Sequence, residues 1–280
     1  MAQATEELGG APLVDADSAE TVESNPAWRR ALFPALFLLG IVVVWEIAAR
    51  VTDVPRYILP APTEIADRVV RSWAILWEHS LVTLTEVFVG FVLGVALGLG
   101  LAIPIAYSPV VRNTLYPLIV ASQAVPKIAI APLLVLWLGF DMWPKIVVTA
   151  LMVFFPVTVT AAEGLISVDR NLLDLLRSVH AGERQIFIKV RFPHALPHIF
   201  SGLKIGITLA VVGAVVGEWV GADSGLGYLL VYANTLLDST LLFASLFLLI
   251  VMGVALFIVV GIAERLLLPW HHSSDTYSVG

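Results

Sequence analysis

Residues 174–197 read DLLRSVHAGERQIFIKVRFPHALP, a long polar interruption in the second half of an apolar chain. Arg177, Arg184, Lys189 and Arg191 all lie within it. The apolar residues here fall at helical spacing: Leu172, Leu175, Leu176 and Val179 first, then Ile186, Phe187 and Val190 after an Ala181-Gly182 break. The pattern predicts two short amphipathic helices joined by a bend. Pro193 and Pro197 are expected to end the second helix, because each lacks an amide donor and restricts the residue before it. Such an element either lies on a membrane surface or docks a soluble partner.

The surrounding chain is 59% hydrophobic and 14% charged, with a mean hydropathy of +0.91. These values lie outside the soluble globular class and mark an integral membrane protein. The net charge of -6 belongs to the leader: residues 1–25 hold Glu6, Glu7, Asp15, Asp17, Glu20 and Glu23 and no base. With those six removed from the total of 22, 16 acids face 16 bases. The leader has no apolar period and reads as disordered, without the basic start and apolar core of a secretory signal. The absence of cysteine excludes disulfides, thiolate metal sites and a cysteine nucleophile.

Behind Trp28-Arg29-Arg30, residues 31–49 are long enough to cross a bilayer, which takes about 20 residues. The arginines set the N-terminus in the cytoplasm, and Glu46 reads as an interfacial or packing carboxylate ahead of a transport role. A Pro-rich turn from Pro55 to Pro62 leads, with Thr63 as N-cap, into an amphipathic outer helix ending near Glu78, anchored by Trp73 and Trp77. Further spans are expected at 81–107, 115–138, 143–165, 199–220 and 241–263. Gly90, Gly94, Gly98 and Ala102 line one face of the second span. Gly202, Gly206 and Ala210, then Gly213, Gly217 and Gly221, do the same in the fifth. Such ladders admit a close helix neighbour.

Pro126 and Lys127 fall in the middle of the third span, with Gln123 one turn earlier on the same side, and Pro156 is expected to break the fourth. A lysine at a helix centre costs about 2.5–3.5 kcal/mol on insertion scales, so Lys127 should face a cavity or a partner. Glu218 and Trp219 close the fifth span, and Asn234 lies in the outer stretch beyond. Gln123, Lys127, Glu218, Trp219 and Asn234 are the candidate substrate path; alternatively, Lys127 and Glu218 pair with each other or with other groups to satisfy buried charge. Six spans put both termini in the cytoplasm, and Arg112, Arg170, Arg177, Arg184, Lys189, Arg191 and Arg265 then fall inside, against Arg50, Arg56, Arg68, Arg71 and Lys145 outside. The chain divides into an acidic tail (1–27), a first span with its outer helix (28–78), a core (79–268) with docking helices at 170–192, and a second tail (269–280).

No Gly-Lys pair occurs, so no P-loop can form and ATP hydrolysis would need another chain. His194 and His198 stand at zinc-ligand spacing but are separated by Pro197, which argues against metal. Asp223-Ser224-Gly225 echoes a hydrolase segment but reads as a Gly-rich turn, with nothing to mark His79 as a base. His271 and His272 mark a membrane exit.

The 174–197 stretch resembles the coupling-helix signature of bacterial ABC importer permeases: E-A-A, three residues, Gly, then a run ending in a Pro-containing segment. Asp174 stands where the Glu is usual, Leu175 and Leu176 where the two Ala are, and His180 where the Gly is. Gly182 is expected to supply the bend two residues later. Trp45-Glu46, Leu59-Pro60-Ala61-Pro62, Gln123-Ala124-Val125-Pro126-Lys127 and Phe154-Phe155-Pro156 are similar to the nitrate/taurine/sulfonate branch of these permeases. Gly202-Leu203-Lys204, Gly217-Glu218-Trp219-Val220-Gly221 and Ser224-Gly225-Leu226-Gly227-Tyr228 extend the likeness.

The resemblance implies an all-α polytopic membrane protein with about six transmembrane helices in the type I ABC importer fold, resident in the bacterial inner membrane. It implies a docking site for the ATP-binding subunit at Asp174, Leu175, Leu176, Arg177, Val179, His180, Ala181 and Gly182. The implied partners are two copies of that ATPase, which carry ATP and Mg, a second copy of the permease, an extracytoplasmic substrate-binding protein and membrane lipid; no cofactor on this chain and no nucleic acid are expected. Substrates of the branch are small anions, such as nitrate, taurine and alkanesulfonates, or heterocycles of the pyrimidine and flavin kind. The tract at 211–227, with Glu264-Arg265 and Pro269-Trp270-His271, is similar to the heterocycle members. A reading of a different class is a self-sufficient secondary transporter or channel with Lys127 and Glu218 as an ion relay, for which a docking segment would have no use.

Overall fold

The computed structural model describes residues 27–52, 55 and 57–269, with side chains described from residue 32. The acidic tail, Arg56, the side chains of Arg29 and Arg30, and the Trp270-His271-His272 end therefore lie outside the described residues. Every regular element among those described is a helix. Residues up to Ala48 and residues from Ala49 form separate units. The first contains most of α1 (Ala27–Val51), which carries Pro34 and is apolar enough to span a membrane over Leu32–Val51.

The second unit begins with α2 (Pro62–Arg71) and α3 (Trp73–Tyr107). Ala61, not Thr63, occupies the N-cap of α2; Pro62 takes the first helical position, where its missing N–H costs nothing, and Glu64 accepts from the Ala61 N–H at 3.3 Å. The amphipathic helix turns into the span at Ser72 rather than ending near Glu78, so the stacked Trp73 and Trp77 open α3.

After α3 come α4 (Pro109–Ser122), a 3₁₀ turn (Lys127–Ile130) and α5 (Ala131–Leu138). The expected third span is thus bent, by 87°. The cause is Pro126, which has no amide to donate and excludes Val125 from the helical region. Gly139, at φ +85°, turns the chain into α6 (Met142–Ile166), capped by Asp141. Pro156 does not break α6, which runs through it. Asp169 then caps α7 (Arg170–Ser178), and α8 (Glu183–Ile186) leads through a π-helical turn (Phe187–Arg191) straight into α9 (Phe192–Gly221). Pro193 and Pro197 do not end a helix. Pro193 lies in the first turn of α9, where proline is tolerated because the first amides have no intrahelical acceptor, and Pro197 lies inside α9, which runs through it as α6 runs through Pro156. The chain closes with α10 (Leu226–Thr235) and α11 (Ser239–Leu267), the latter capped by Asp238.

The centre of the fold is α6, gripped on two faces. A Cβ on Gly90, Gly94 or Gly98 of α3 would collide with Thr149, Ala150, Val153, Phe154 or Val157. One on Gly206, Gly213 or Gly217 of α9 would meet Val153, Val157, Thr149 or Lys145 of the same helix. The glycine ladders therefore do what their spacing predicts, and they do it against one neighbour except at Gly221, which meets Phe140 and Val135. Val87, Val153, Val157, Ile207, Ala210 and Ala214 fill the shared core.

Five helices are long and apolar enough to cross a membrane, or six if the bent pair counts as one span. The ends of α3 and α6 settle the bent pair. Tyr107, at the last residue of α3, meets the π-helical turn, whereas Lys145, at the start of α6, meets Glu86 near the other end of α3. Residues 109–138 must therefore cross from one end of the bundle to the other.

Candidate functional site

The segment with the strongest sequence signal forms a compact element at one end of the bundle. Leu173 of α7 packs with Val168 and Ile186, and Leu176, Ala181 and Val190 close over them. Arg177 joins the two short helices, 3.5 Å from Asp174 and 3.2 Å from Glu183. The bend follows a Schellman pattern: the His180 N–H donates to Arg177 O at 2.9 Å and the Ala181 N–H to Leu176 O at 3.0 Å. His180 itself takes the left-handed position at φ +59°. Gly182, expected to supply the bend, lies at φ -70° and ψ 150° and does not. The motif asks for a left-handed residue at the position just beyond the C-cap, and that position falls on His180.

Leu172, Leu175 and Val179 share an outward face of α7 and are 41%, 61% and 67% exposed. The element is tied to the bundle by Arg191, whose guanidinium lies 5.2 Å from the Tyr107 ring and donates to Leu165 O at 3.4 Å. The Phe187 ring packs between Tyr107 and Phe192. The element thus touches the ends of α3, α6 and α9 together.

The opposite end carries a buried polar cluster. Lys145 and Glu86, 6% and 0% exposed, pair at 2.8 Å. Glu218, 2% exposed, accepts from Thr83 Oγ1 at 2.6 Å and from the Gly227 N–H. Thr83 Oγ1 accepts the Leu226 N–H at 2.8 Å, and His79 Nδ1 accepts the Gly225 N–H at 2.9 Å. Three successive amides at the start of α10 are therefore held by side chains of α3 and α9. Gly225, at φ +109°, and Gly227 leave no room for a Cβ against Glu218. Asp223-Ser224-Gly225 is accordingly the Gly-rich turn its composition suggests, and His79 is an acceptor within it.

The candidate path residues are not gathered in one place. Glu218 does not pair with Lys127; its oxygens are engaged as above. Lys127 is half-buried at the bend, 4.8 Å from the Phe155 ring. Gln123, on the other side of the 87° break, does not continue its helical face. Gln123, Trp219 and Asn234 are exposed. Sequence reasoning counted Lys145 among the outer basic residues and did not join it to Glu86. It also missed the ion pair of Lys204 on α9 with Glu264 on α11, and that of Arg68 on α2 with Asp238 at 2.6 Å. The available signal was that each charge lies close to the end of an apolar run, where an unpaired one would be costly. His194 Nε2 sits 3.2 Å from Ser167 Oγ, a packing contact between α9 and the end of α6.

Residues 90–271, from the α3 ladder to beyond α11, match the family described as binding-protein-dependent transport system inner membrane component. The chain belongs to that family. It is an ABC importer permease, a transport subunit of the inner membrane, and the self-sufficient carrier reading gives way to this one. The permease is 40% identical over 242 residues to the formylaminopyrimidine transport permease protein ThiX of Halalkalibacterium halodurans, covering 86% of this chain and 96% of that protein. It is 35% identical over 248 residues to the riboflavin transport system permease protein RibX of Chloroflexus aurantiacus, covering 88% and 92%. The fold matches a chain of the MetNI methionine ABC transporter in inward-facing conformations, with a TM-score of 0.60, 20% identity, and coverage of 70% of this chain and 97% of that one.

Proposed function

We propose that the permease works as a pair of copies around a shared path, driven through α7 and α8 by two ATP-binding subunits that hold ATP and Mg, and supplied by an extracytoplasmic substrate-binding protein. The carrying observation is the exposed ridge of Leu172, Leu175 and Val179. Large apolar side chains grouped on one face of a short polar helix suit a protein partner better than water. The docking surface comprises Asp174, Leu175, Leu176, Arg177, Val179, His180, Ala181 and Gly182, with Arg177 bracing the two helices and Arg191 passing their movement to α3 and α6.

The docking end faces the cytoplasm in this reading, with both termini on that side. Arg112, Arg170, Arg177, Arg184, Lys189, Arg191 and Arg265 belong to that end, while Lys145 at the other is neutralised by Glu86. Gln123, Lys127, Trp219 and Asn234 are assigned to the path, and Glu218 to holding α10. The core runs from α3 to 268 with the docking helices at 170–192, preceded by a first span and an outer helix that ends at Arg71 rather than near Glu78, and flanked by tails at 1–27 and 269–280. ThiX and RibX are named for a formylaminopyrimidine and riboflavin, which supports a nitrogen heterocycle as substrate over a sulfonate, taurine or nitrate.

Exchanging the charges of Asp174 and Arg177 in the reconstituted transporter should leave membrane levels normal and uncouple uptake from ATP hydrolysis; coupled uptake at the original rate would remove the docking assignment. Competition of uptake by a formylaminopyrimidine, riboflavin and taurine in the same vesicles tests the substrate class, and inhibition by taurine alone would overturn the heterocycle reading.

A further inference from the structure

The docking element has a concave side as well as a ridge. Between α7 and the segment from α8 through the π-helical turn lies a cavity of 190 Å³, lined by Leu176, Ala181, Gln185, Ile186, Lys189 and Val190. Its floor is apolar, because Leu176, Ala181, Ile186 and Val190 are the residues that close the small core of the element. Polar groups reach it only at the rim, from Gln185 and Lys189, both exposed. A buried water needs two to four polar partners, and an apolar cavity of about 150 Å³ takes a benzene molecule. A volume of 190 Å³ over an apolar floor is therefore matched to a phenyl-sized group rather than to ordered water.

The charges around the rim are unbalanced. Lys189, the charged residue in the lining, makes no ion pair among the described residues, while Asp174 and Glu183 both engage Arg177. The mouth of the cavity is left cationic, and the group that complements it is a carboxylate. We infer that this cavity receives an aromatic side chain of the ATP-binding subunit, flanked there by an Asp or Glu that pairs with Lys189. The interface is then reciprocal: the ridge of α7 enters the partner while the partner enters the hollow behind α7. This rests on the docking reading above and adds to it the side-chain chemistry that the partner must present.

The test uses the whole transporter purified from its native membrane. Ala181→Leu fills the hollow from its wall, and Leu175→Asp spoils the ridge. Both should reach the membrane at normal levels and melt as the parent does, with the recovered ATPase and ATP-driven uptake each falling at least tenfold. Retention of both by Ala181→Leu, while Leu175→Asp loses them, would overturn the cavity inference alone. Retention by Leu175→Asp would remove the docking reading beneath it. Because the chain has no cysteine, Gln185→Cys offers a single attachment point for a short photoreactive cross-linker at the rim. The cross-linked ATPase peptide should contain Phe, Tyr or Trp beside an acid; a peptide without an aromatic residue, or no cross-link to the ATPase, would refute the proposal even if Ala181→Leu proved unstable.

Discussion

His180 holds a backbone conformation that glycine reaches without steric penalty. Its replacement by Gly should stabilise the end of α7 by about 1 kcal/mol, seen as a higher melting temperature of the solubilised permease. Gly182→Ala should leave that temperature unchanged, since the backbone there is extended and no atom lies within 4 Å of the new Cβ. The spacing of apolar residues located the bend between Val179 and Glu183, but residue type pointed to the wrong member of the tract. A left-handed non-glycine residue is uncommon, and its presence is a matter of backbone register that composition does not carry. Asp238, which the sequence did not single out, caps α11 and pairs with Arg68. Burial works to raise its pKa, but the Thr240 hydroxyl, the Leu241 N–H and the Arg68 guanidinium outweigh it and hold the carboxyl below the usual range. A depressed folded pKa adds stability that is complete above the unfolded value, about 3.9, and is lost as pH falls through the folded value. Asp238→Asn should therefore lower the melting temperature at neutral pH, and the gap from the parent should close only in strong acid.

At the scale of elements, the glycine ladders were visible as four-residue repeats and their role as packing surfaces followed from spacing alone. What spacing could not show is that Gly90, Gly94 and Gly98 of one and Gly206, Gly213 and Gly217 of the other all face α6. Gly94→Ala would place a Cβ 2.6 Å from Ala150 O, and Gly213→Ala one 2.8 Å from Thr149 Cα. Each should cost about 1–3 kcal/mol through forced backbone shifts, measured by thermal unfolding in detergent. Gly100→Ala, on the same helix as Gly94 but with no atom within 4 Å, should be neutral or stabilising. The prolines misled where position outweighs type. Pro126 breaks its span, whereas Pro156 is carried within α6 and Pro193 sits at an N-terminal position that needs no amide. A sequence shows a proline; the neighbours that tolerate it belong to the fold.

For the whole molecule, the charges inside the spans are joined by tertiary structure and not by sequence proximity. Lys145 was counted with the outer basic residues; it is buried, and its partner Glu86 lies 59 positions away. Lys145→Met should destabilise the bundle by about 3–5 kcal/mol, because Glu86 is left buried without its partner. The double variant with Glu86→Gln should recover most of the membrane level, as read by fluorescence-detected size exclusion. Single cysteines at Ser178 and Ser224 should label from the cytoplasm and from outside respectively; labelling of both from one face would invalidate the proposed orientation.

The grip on α6 bears also on how this sequence can vary. Thr149, Val153 and Val157 each meet a glycine of α3 and a glycine of α9, so a larger residue at any of them presses on two backbones in opposite directions. Neither neighbour can yield alone without loosening its hold on the other side. Substitutions in α6 should therefore survive selection for transport only when accompanied by changes in both flanking helices, and three stretches far apart in the chain would share one mutational history.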